Sequence, residues 1–272
     1  MEAARNVATM KLNFNHKTAL VTGADRNTGA VIARTLSTNG VTVIVHSNHC
    51  DGSAAKAAQT LKNSFWVEGD IATEAGCQAV LEQLQSQALS VDILVNNYGT
   101  AGFAKWDSAT TEDWLDMYQK NVLSVARLVQ GIVPTMKQRA WGRIVNLGTI
   151  GSHRPGKIMP HYYASKGALA NLGVSLTQEL AGTGITVNTV SPGLIHTPEL
   201  EAGYRVRASK KGWGDDWEDI LAHIVEEEFP NPCGRLASRE EVADLVAFLC
   251  SDNAGFINGQ NIRIDGGAVS YV

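Results

Sequence analysis

The chain has 272 residues, 44% of them hydrophobic and 18% charged, a length and balance that fit one large domain with a full core. The net charge of -4 and the lack of any Lys/Arg block exclude a polyanion-binding footprint, so no nucleic-acid partner is expected. Cys50, Cys77, Cys233 and Cys250 are widely spaced with no C-x-x-C pair, which argues against a disulfide framework or a cysteine zinc site and suits the reducing cytoplasm.

Residues 1–16 read as a loose N-terminal leader, with Met10 as an alternative start. No stretch reaches the roughly 18 apolar residues that a membrane span requires, so no membrane partner is expected. From Lys17 onward, short apolar runs alternate with helical patterns. This predicts an α/β fold for residues 17–272: a doubly wound, mostly parallel sheet in a single domain, with helices on both faces. Thr18-Ala19-Leu20-Val21 is the first strand, a helix runs from about Thr28 to Thr38, and Asn39-Gly40 stops it. Val41-Thr42-Val43-Ile44-Val45 is the second strand, completing a right-handed crossover unit.

In such a unit the loop after the first strand aims backbone N–H groups and a helix N-terminus at a pyrophosphate. Here that loop is Thr22-Gly23-Ala24-Asp25-Arg26-Asn27-Thr28-Gly29, with Gly23 and Gly29 allowing close approach. Asn27 also stands within it, and asparagine tolerates a left-handed backbone better than most residues. An NAD site would place a carboxylate after the second strand, to bind the adenosine ribose. The sequence there is His46-Ser47-Asn48, and Arg26 is positioned to meet a 2'-phosphate, so NADP(H) is the expected cofactor and NAD(H) the alternative. A metal at His46-x-x-His49-Cys50 lacks a second ligand cluster, and a surface turn is the simpler reading.

A helix over about Asp51–Leu61 and the strand Phe65-Trp66-Val67 lead to Asp70 and Ile71. An amphipathic helix follows, with Val80, Leu84 and Ala88 on one face, and then the strand Val91–Val95, ending in Asn96-Asn97-Tyr98-Gly99. Thr110 with Asp113 starts a long helix reaching about Arg139, in which Asn121 sits as a mediocre helix former. Gly142–Leu147 is a strand with Gly148-Thr149 at its C-terminal end, where parallel sheets place ligand sites.

His161-Tyr162-Tyr163-Ala164-Ser165-Lys166 opens the next helix. Tyr162 and Lys166 are four apart and share a helical face, so an ammonium is placed to stabilise a phenolate and draw the phenol's pKa toward neutrality. Tyr163 has Gly167 as its i+4 neighbour, and register therefore selects Tyr162. The helix continues with a stripe of Leu169, Leu172, Leu176 and Leu180. After the strand Ile185–Val190 comes Pro192-Gly193, with Ile195 and Thr197 beyond. Residues 198–230, carrying Trp213, Trp217 and Glu226-Glu227-Glu228, read either as a substrate lid or as a solvated helix pair with the tryptophans as core anchors. Ser238 with Glu241 caps a last helix, and Asn261–Ile264 is the final strand before Asp265-Gly266-Gly267.

Taken in order, Thr22-Gly23 to Gly29, Asn-Asn-x-Gly at 96–99, Tyr162-x-x-x-Lys166, Pro-Gly-x-x-x-Thr at 192–197 and Asp265-Gly266-Gly267 resemble the short-chain dehydrogenase/reductase family over about Lys17–Gly267. Asn27, Tyr98 and Thr149 depart from its glycine, alanine and serine. The resemblance implies hydride transfer between nicotinamide and a carbonyl or secondary alcohol. Tyr162 would be the general acid or base, and Lys166 would lower its pKa and hold the nicotinamide ribose. Thr149, thirteen residues before Tyr162, would position the substrate oxygen with Ser152 as a fallback, and the Asn121 carbonyl would hold a relay water. It also implies cofactor contacts along Gly23, Arg26, Asn27, Thr28, Gly29, His46, Ser47, Asn48, Asp70, Ile71, Asn97, Tyr98 and Gly99, and again at Pro192, Gly193, Ile195 and Thr197. A small carbonyl or alcohol substrate and a homodimer or homotetramer follow from the same likeness. The substrate reading is ketone or aldehyde reduction, with 3-oxoacyl-thioester reduction and a catalytically silent dinucleotide sensor as alternatives.

Overall fold

The computed structural model describes residues 11–14 and 16–270. The elements run β1 (Thr18–Val21), α1 (Asn27–Thr38), β2 (Thr42–Ser47), α2 (Ser53–Ala58), β3 (Ser64–Glu68), α3 (Glu74–Ser86), β4 (Ile93–Asn96), α4 (Thr111–Tyr118), α5 (Ser124–Gln138), β5 (Gly142–Leu147), α6 (Pro160–Glu179), β6 (Ile185–Pro192), α7 (Pro198–Lys211), α8 (Trp217–His223), α9 (Arg239–Cys250) and β7 (Asn261–Ile264). The seven described strands form one sheet in the order β3-β2-β1-β4-β5-β6-β7, every neighbouring pair parallel.

Alternation along β1 explains the two-layer burial. Ala19 and Val21 face one core layer with Ile32 and Leu36 of α1 and Val246 of α9. Leu20 faces the other, with Ile44, Leu94, Val80 and Leu84 of α3, and Leu128 and Ile132 of α5. Each such fully buried leucine or isoleucine contributes roughly 2 kcal/mol. Chain order reverses between β1 and β4, so Val21 and Asn96 end side by side at the switch point, where a crevice opens beyond the strands.

Several boundaries differ from the sequence expectation. The leader reading lies outside the described residues for 1–10 and 15, but Phe14 is buried in the first core layer with Leu12 against it, so the fold begins before Lys17. Strand β2 extends through His46 and Ser47, and α2 is shorter than the expected 51–61. Ala88 is not on the buried face of α3: the helix ends at Ser86, and Ala88 is exposed with a left-handed φ of 52°. Both expected capping boxes form, Thr110 with Asp113 and Ser238 with Glu241. The single long helix from Thr110 to Arg139 is instead α4 and α5 joined by a π-turn at Gln119–Leu123, which contains Asn121. Along α6, Leu169 and Leu180 are buried, whereas Leu172 and Leu176 are only half-buried in a shallow groove against Tyr118, Val122 and Val129. Trp213 anchors a third small core with Ile220, Ile224 and Leu236, and Trp217 packs against it. Among the described residues no helix is long and apolar enough to cross a membrane.

Candidate active site

The crevice beyond β1 and β4 is a cavity of about 520 Å³ lined by Gly23, Asp25, Arg26, Asn27, Thr28, Gly29, Asn48, His49, Asp70, Asn97, Tyr98, Gly99, Thr100 and Lys120. Its floor is a braced loop. Gly23 adopts φ +60° and donates its N–H to His46 Nδ1 at 3.2 Å, while His46 Nε2 lies 3.0 Å from the Gly69 carbonyl. Both bonds are met by the Nε2–H tautomer, and burial lowers the His46 pKa to about 4, so the ring is neutral. Asn97 Nδ2 donates to the Thr22 and Gly23 carbonyls, and Tyr98 N donates to Thr22 Oγ1. A Cβ on Gly29 would sit 2.2 Å from the Gly23 carbonyl oxygen, which fixes glycine there.

These features fit a dinucleotide pyrophosphate. Helix α1 begins with no side-chain cap and no acidic residue in its first turn, so its N–H groups and positive dipole end face the cavity. Asn27 takes φ +50°, as its place in the loop requires, and its amide donates to Glu199 Oε1 at 2.8 Å, tying the loop to the start of α7. Arg26 is 64% exposed and meets Asp25 only at 3.9 Å, which leaves its guanidinium available to an added phosphate.

At the adenosine end, the expected contacts divide into lining and support. Asn48 and Asp70 line the cavity, with Asn48 Nδ2 donating to Asp70 Oδ1 at 2.6 Å and Asn48 Oδ1 accepting from Ile71 N. His46, Ser47 and Ile71 are buried behind them. His46 braces the glycine loop and Ser47 accepts from His49 N and Ser53 Oγ, so their side chains position the cavity instead of lining it. Tyr98 lines the cavity, with its Cα and Cβ beside Gly23 and its hydroxyl accepting from Asn48. Burial, with Asp70 and Asp116 nearby, pushes its pKa up to about 12. Asp25, His49, Thr100 and Lys120 also line the cavity; the sequence gives no periodic or motif signal for them.

A second cleft, of about 650 Å³, contains Thr149, Tyr163, Gly193, Tyr204 and Phe229. Thr149 Oγ1 accepts from Gly151 N at 3.2 Å, and its hydroxyl lies near the Tyr162 phenol, whose pKa it lowers. Ser152 turns away, donating to the Thr149 carbonyl at 2.7 Å. The Tyr163 ring covers Gly151, where a Cβ would fall 2.2 Å from ring carbons. Lys166 is buried below Tyr162 and donates to the Leu147 carbonyl at 2.8 Å. Asn121 does not face solvent. It is fully buried, its Oδ1 accepting from Thr100 N and its Nδ2 donating to Thr100 O and Ser165 Oγ, while Ser165 in turn donates to the Tyr162 carbonyl. The π-turn thus carries a side-chain tie between the β4–α4 loop and α6. Ser165 is a positioning residue that pattern alone does not reveal. Gly99 is confined by the same groups: a Cβ there would lie 2.6 Å from Asn121 Oδ1 and 3.0 Å from Lys166 Nζ.

Burial acts on both members of the Tyr162–Lys166 pair. Burial pushes the phenol up to about 12, partly offset by the Thr149 hydrogen bond, and burial lowers the lysine to about 8. Pro192, Gly193, Ile195 and Thr197, expected at the cofactor, also have local structural partners. Thr197 Oγ1 caps α7 by accepting from Leu200 N, Ile195 bridges to Ala237, and Pro192 closes β6. Gly193 packs directly against Phe229. Among the described residues no group of three or more His, Cys, Asp or Glu could hold a metal.

Comparison with known proteins agrees with this geometry. A family model described as enoyl-(acyl carrier protein) reductase matches residues 23–269. The chain is 34% identical over 257 residues to the 3-oxoacyl-[acyl-carrier-protein] reductase FabG of Escherichia coli, covering 94% of this chain and 98% of that protein. The L-sorbose reductase of Gluconobacter frateurii, solved with NADPH and L-sorbose, superposes with a TM-score of 0.90 at 31% identity, over 97% of this chain and 100% of the other. The gluconate 5-dehydrogenase of Burkholderia cenocepacia, solved with NADP and tartrate, superposes with a TM-score of 0.82 at 26% identity, over 96% and 98%. With the parallel sheet, the glycine cradle and Tyr162 beside the buried Lys166, these matches establish that the chain belongs to the short-chain dehydrogenase/reductase family and is an oxidoreductase moving hydride between a nicotinamide and a carbonyl or alcohol carbon.

Proposed function

We propose that the protein reduces a ketone or aldehyde with NADPH, using Tyr162, Lys166, Thr149 and Asn121. The observation that carries this reading is the arrangement at the substrate cleft: Thr149 on its wall with Ser152 turned away, beside the partly buried Tyr162, which lies one helical turn from the buried Lys166. A neutral phenol is a proton donor, which is what carbonyl reduction requires of the residue facing the developing alkoxide. The bound reduced nicotinamide supplies the hydride. Thr149 donates to the carbonyl oxygen and sets its position, Tyr162 delivers the proton to that oxygen, and Lys166 stabilises the phenolate left behind. Asn121 and Ser165 hold α6 against the β4–α4 loop, and the Asn121 backbone carbonyl is the proposed seat of a relay water that returns the proton.

NADP(H) as cofactor is supported by the exposed Arg26 at the loop, by the lack of a carboxylate in His46-Ser47-Asn48, and by neighbours solved with NADPH or NADP. A 3-oxoacyl-thioester reductase is the second reading, favoured by the likeness to FabG. Following NADPH absorbance with a panel of ketones, aldehydes and a 3-oxoacyl thioester tests both. Binding of NADPH without turnover of any member would instead identify a sensor. The half-buried groove of Tyr118, Val122, Val129, Leu172 and Leu176, beside the exposed Leu115 and Val174, is the proposed contact of a homodimer or homotetramer, and the cytoplasm is the proposed location.

A further inference from the structure

The loop that joins β5 to α6 carries Thr149 at one end and delivers Tyr162 at the other, and between them it holds two cations, Arg154 and Lys157. Both line the substrate cleft and both are exposed. The cleft's other cation, Arg207, is consumed locally: Glu228, the only side-chain carboxylate among the described residues of the cleft wall, accepts from Arg207, Lys211 and Tyr204. Arg154 and Lys157 form no ion pair among the described residues; the guanidinium is steadied only by donation to the Ala268 carbonyl at 3.2 Å. A chain with a net charge of -4 therefore presents a local surplus of positive charge at the mouth of its reaction cleft.

The backbone that carries the two cations is tied down at both ends. Thr149 caps the turn at Ile150–Ser152, Arg154 N donates to the Ile150 carbonyl, and Ile158 is clamped to Lys105 by a bridge whose neighbour, Met159 N to Ala104 O, measures 2.7 Å. A group bound by Arg154 and Lys157 is thereby positioned relative to the oxygen that Thr149 and Tyr162 hold. We infer that the preferred substrate is an oxo compound bearing its own anionic group, a carboxylate or a phosphate, away from the reacting carbonyl, and that Arg154 and Lys157 recognise that group. This rests on the reductase reading and narrows it to a substrate class.

The test is NADPH oxidation with matched pairs, a 3-oxo acid against its methyl ester and a ketose phosphate against the free ketose, on the wild type and on Arg154→Gln/Lys157→Gln. NADPH affinity serves as the control for folding. In at least one pair the anionic member should have kcat/KM about tenfold higher, carried mainly by KM, and the double substitution should reduce the anionic-to-neutral ratio by about the same factor. The pair that shows the advantage distinguishes carboxylate from phosphate. Equal kcat/KM within both pairs overturns the inference, as does an unchanged ratio in the variant or a neutral N-acetylcysteamine thioester preferred over every anion. Should no carbonyl be reduced, the reductase reading itself fails. Calorimetric titration of the anions into the NADPH complex then still decides the site: weaker binding to the variant supports it, and equal binding removes it.

Discussion

Replacing Lys166 by methionine should make the ligand-free protein more stable while destroying its activity. The lysine is 5% exposed, and its one described protein hydrogen bond runs to the Leu147 carbonyl. Burial lowers its pKa from 10.5 to about 8, which corresponds to a penalty of about 3 kcal/mol for keeping the ammonium in the folded protein. Methionine fills a similar volume without charge, and losing the bond to Leu147 O costs about 1 kcal/mol, leaving a net gain of about 2 kcal/mol. The pH dependence has a definite sign. The folded pKa lies below the unfolded one, so the wild type carries the full penalty below about 8 and regains stability as pH rises toward 10.5. Urea denaturation of both proteins, near neutrality and again in the alkaline range, checks this, with the advantage of Lys166→Met shrinking as pH rises. A variant less stable than wild type by more than about 1 kcal/mol near neutrality, or an advantage that does not change with pH, would refute the reasoning.

Tyr162→Phe removes the proton donor and should lower kcat by about 10²–10⁴-fold with NADPH affinity little changed, read from steady-state rates and cofactor fluorescence. Thr149→Val should lower kcat by roughly 10²-fold whereas Thr149→Ser retains most of the rate; substantial activity in the valine variant would contradict the placement of Thr149, since Ser152 points away. Arg26→Ala should raise the KM for NADPH about tenfold and leave that for NADH within about twofold, and an equal effect on both cofactors would show that Arg26 does not read the 2'-phosphate. Gly29→Ala, with its Cβ 2.2 Å from the Gly23 carbonyl, should abolish detectable cofactor binding in a fluorescence titration.

The strands, their parallel pairing and the order of motifs were legible in the sequence because local patterns record them. A strand buried on both faces is a continuous apolar run, a capping box has a three-residue spacing, and Tyr162 and Lys166 share a helical face at i, i+4. What those patterns do not carry is desolvation, which depends on every atom around a group. Sequence placed Lys166 beside Tyr162; the packed structure adds a desolvation that pushes the phenol up and the lysine down, which no spacing records. The same limit applies to His46, which by position belonged to the cofactor and by packing supports the glycine loop, and to Asn121, whose buried side chain joins a loop 21 residues away in sequence to Ser165, 44 residues away. Periodicity and spacing fix which residues lie near one another along the chain. Only the closing of helices and loops over the sheet decided which groups lose water, which pair with which, and which are left at the cleft with a charge still to satisfy.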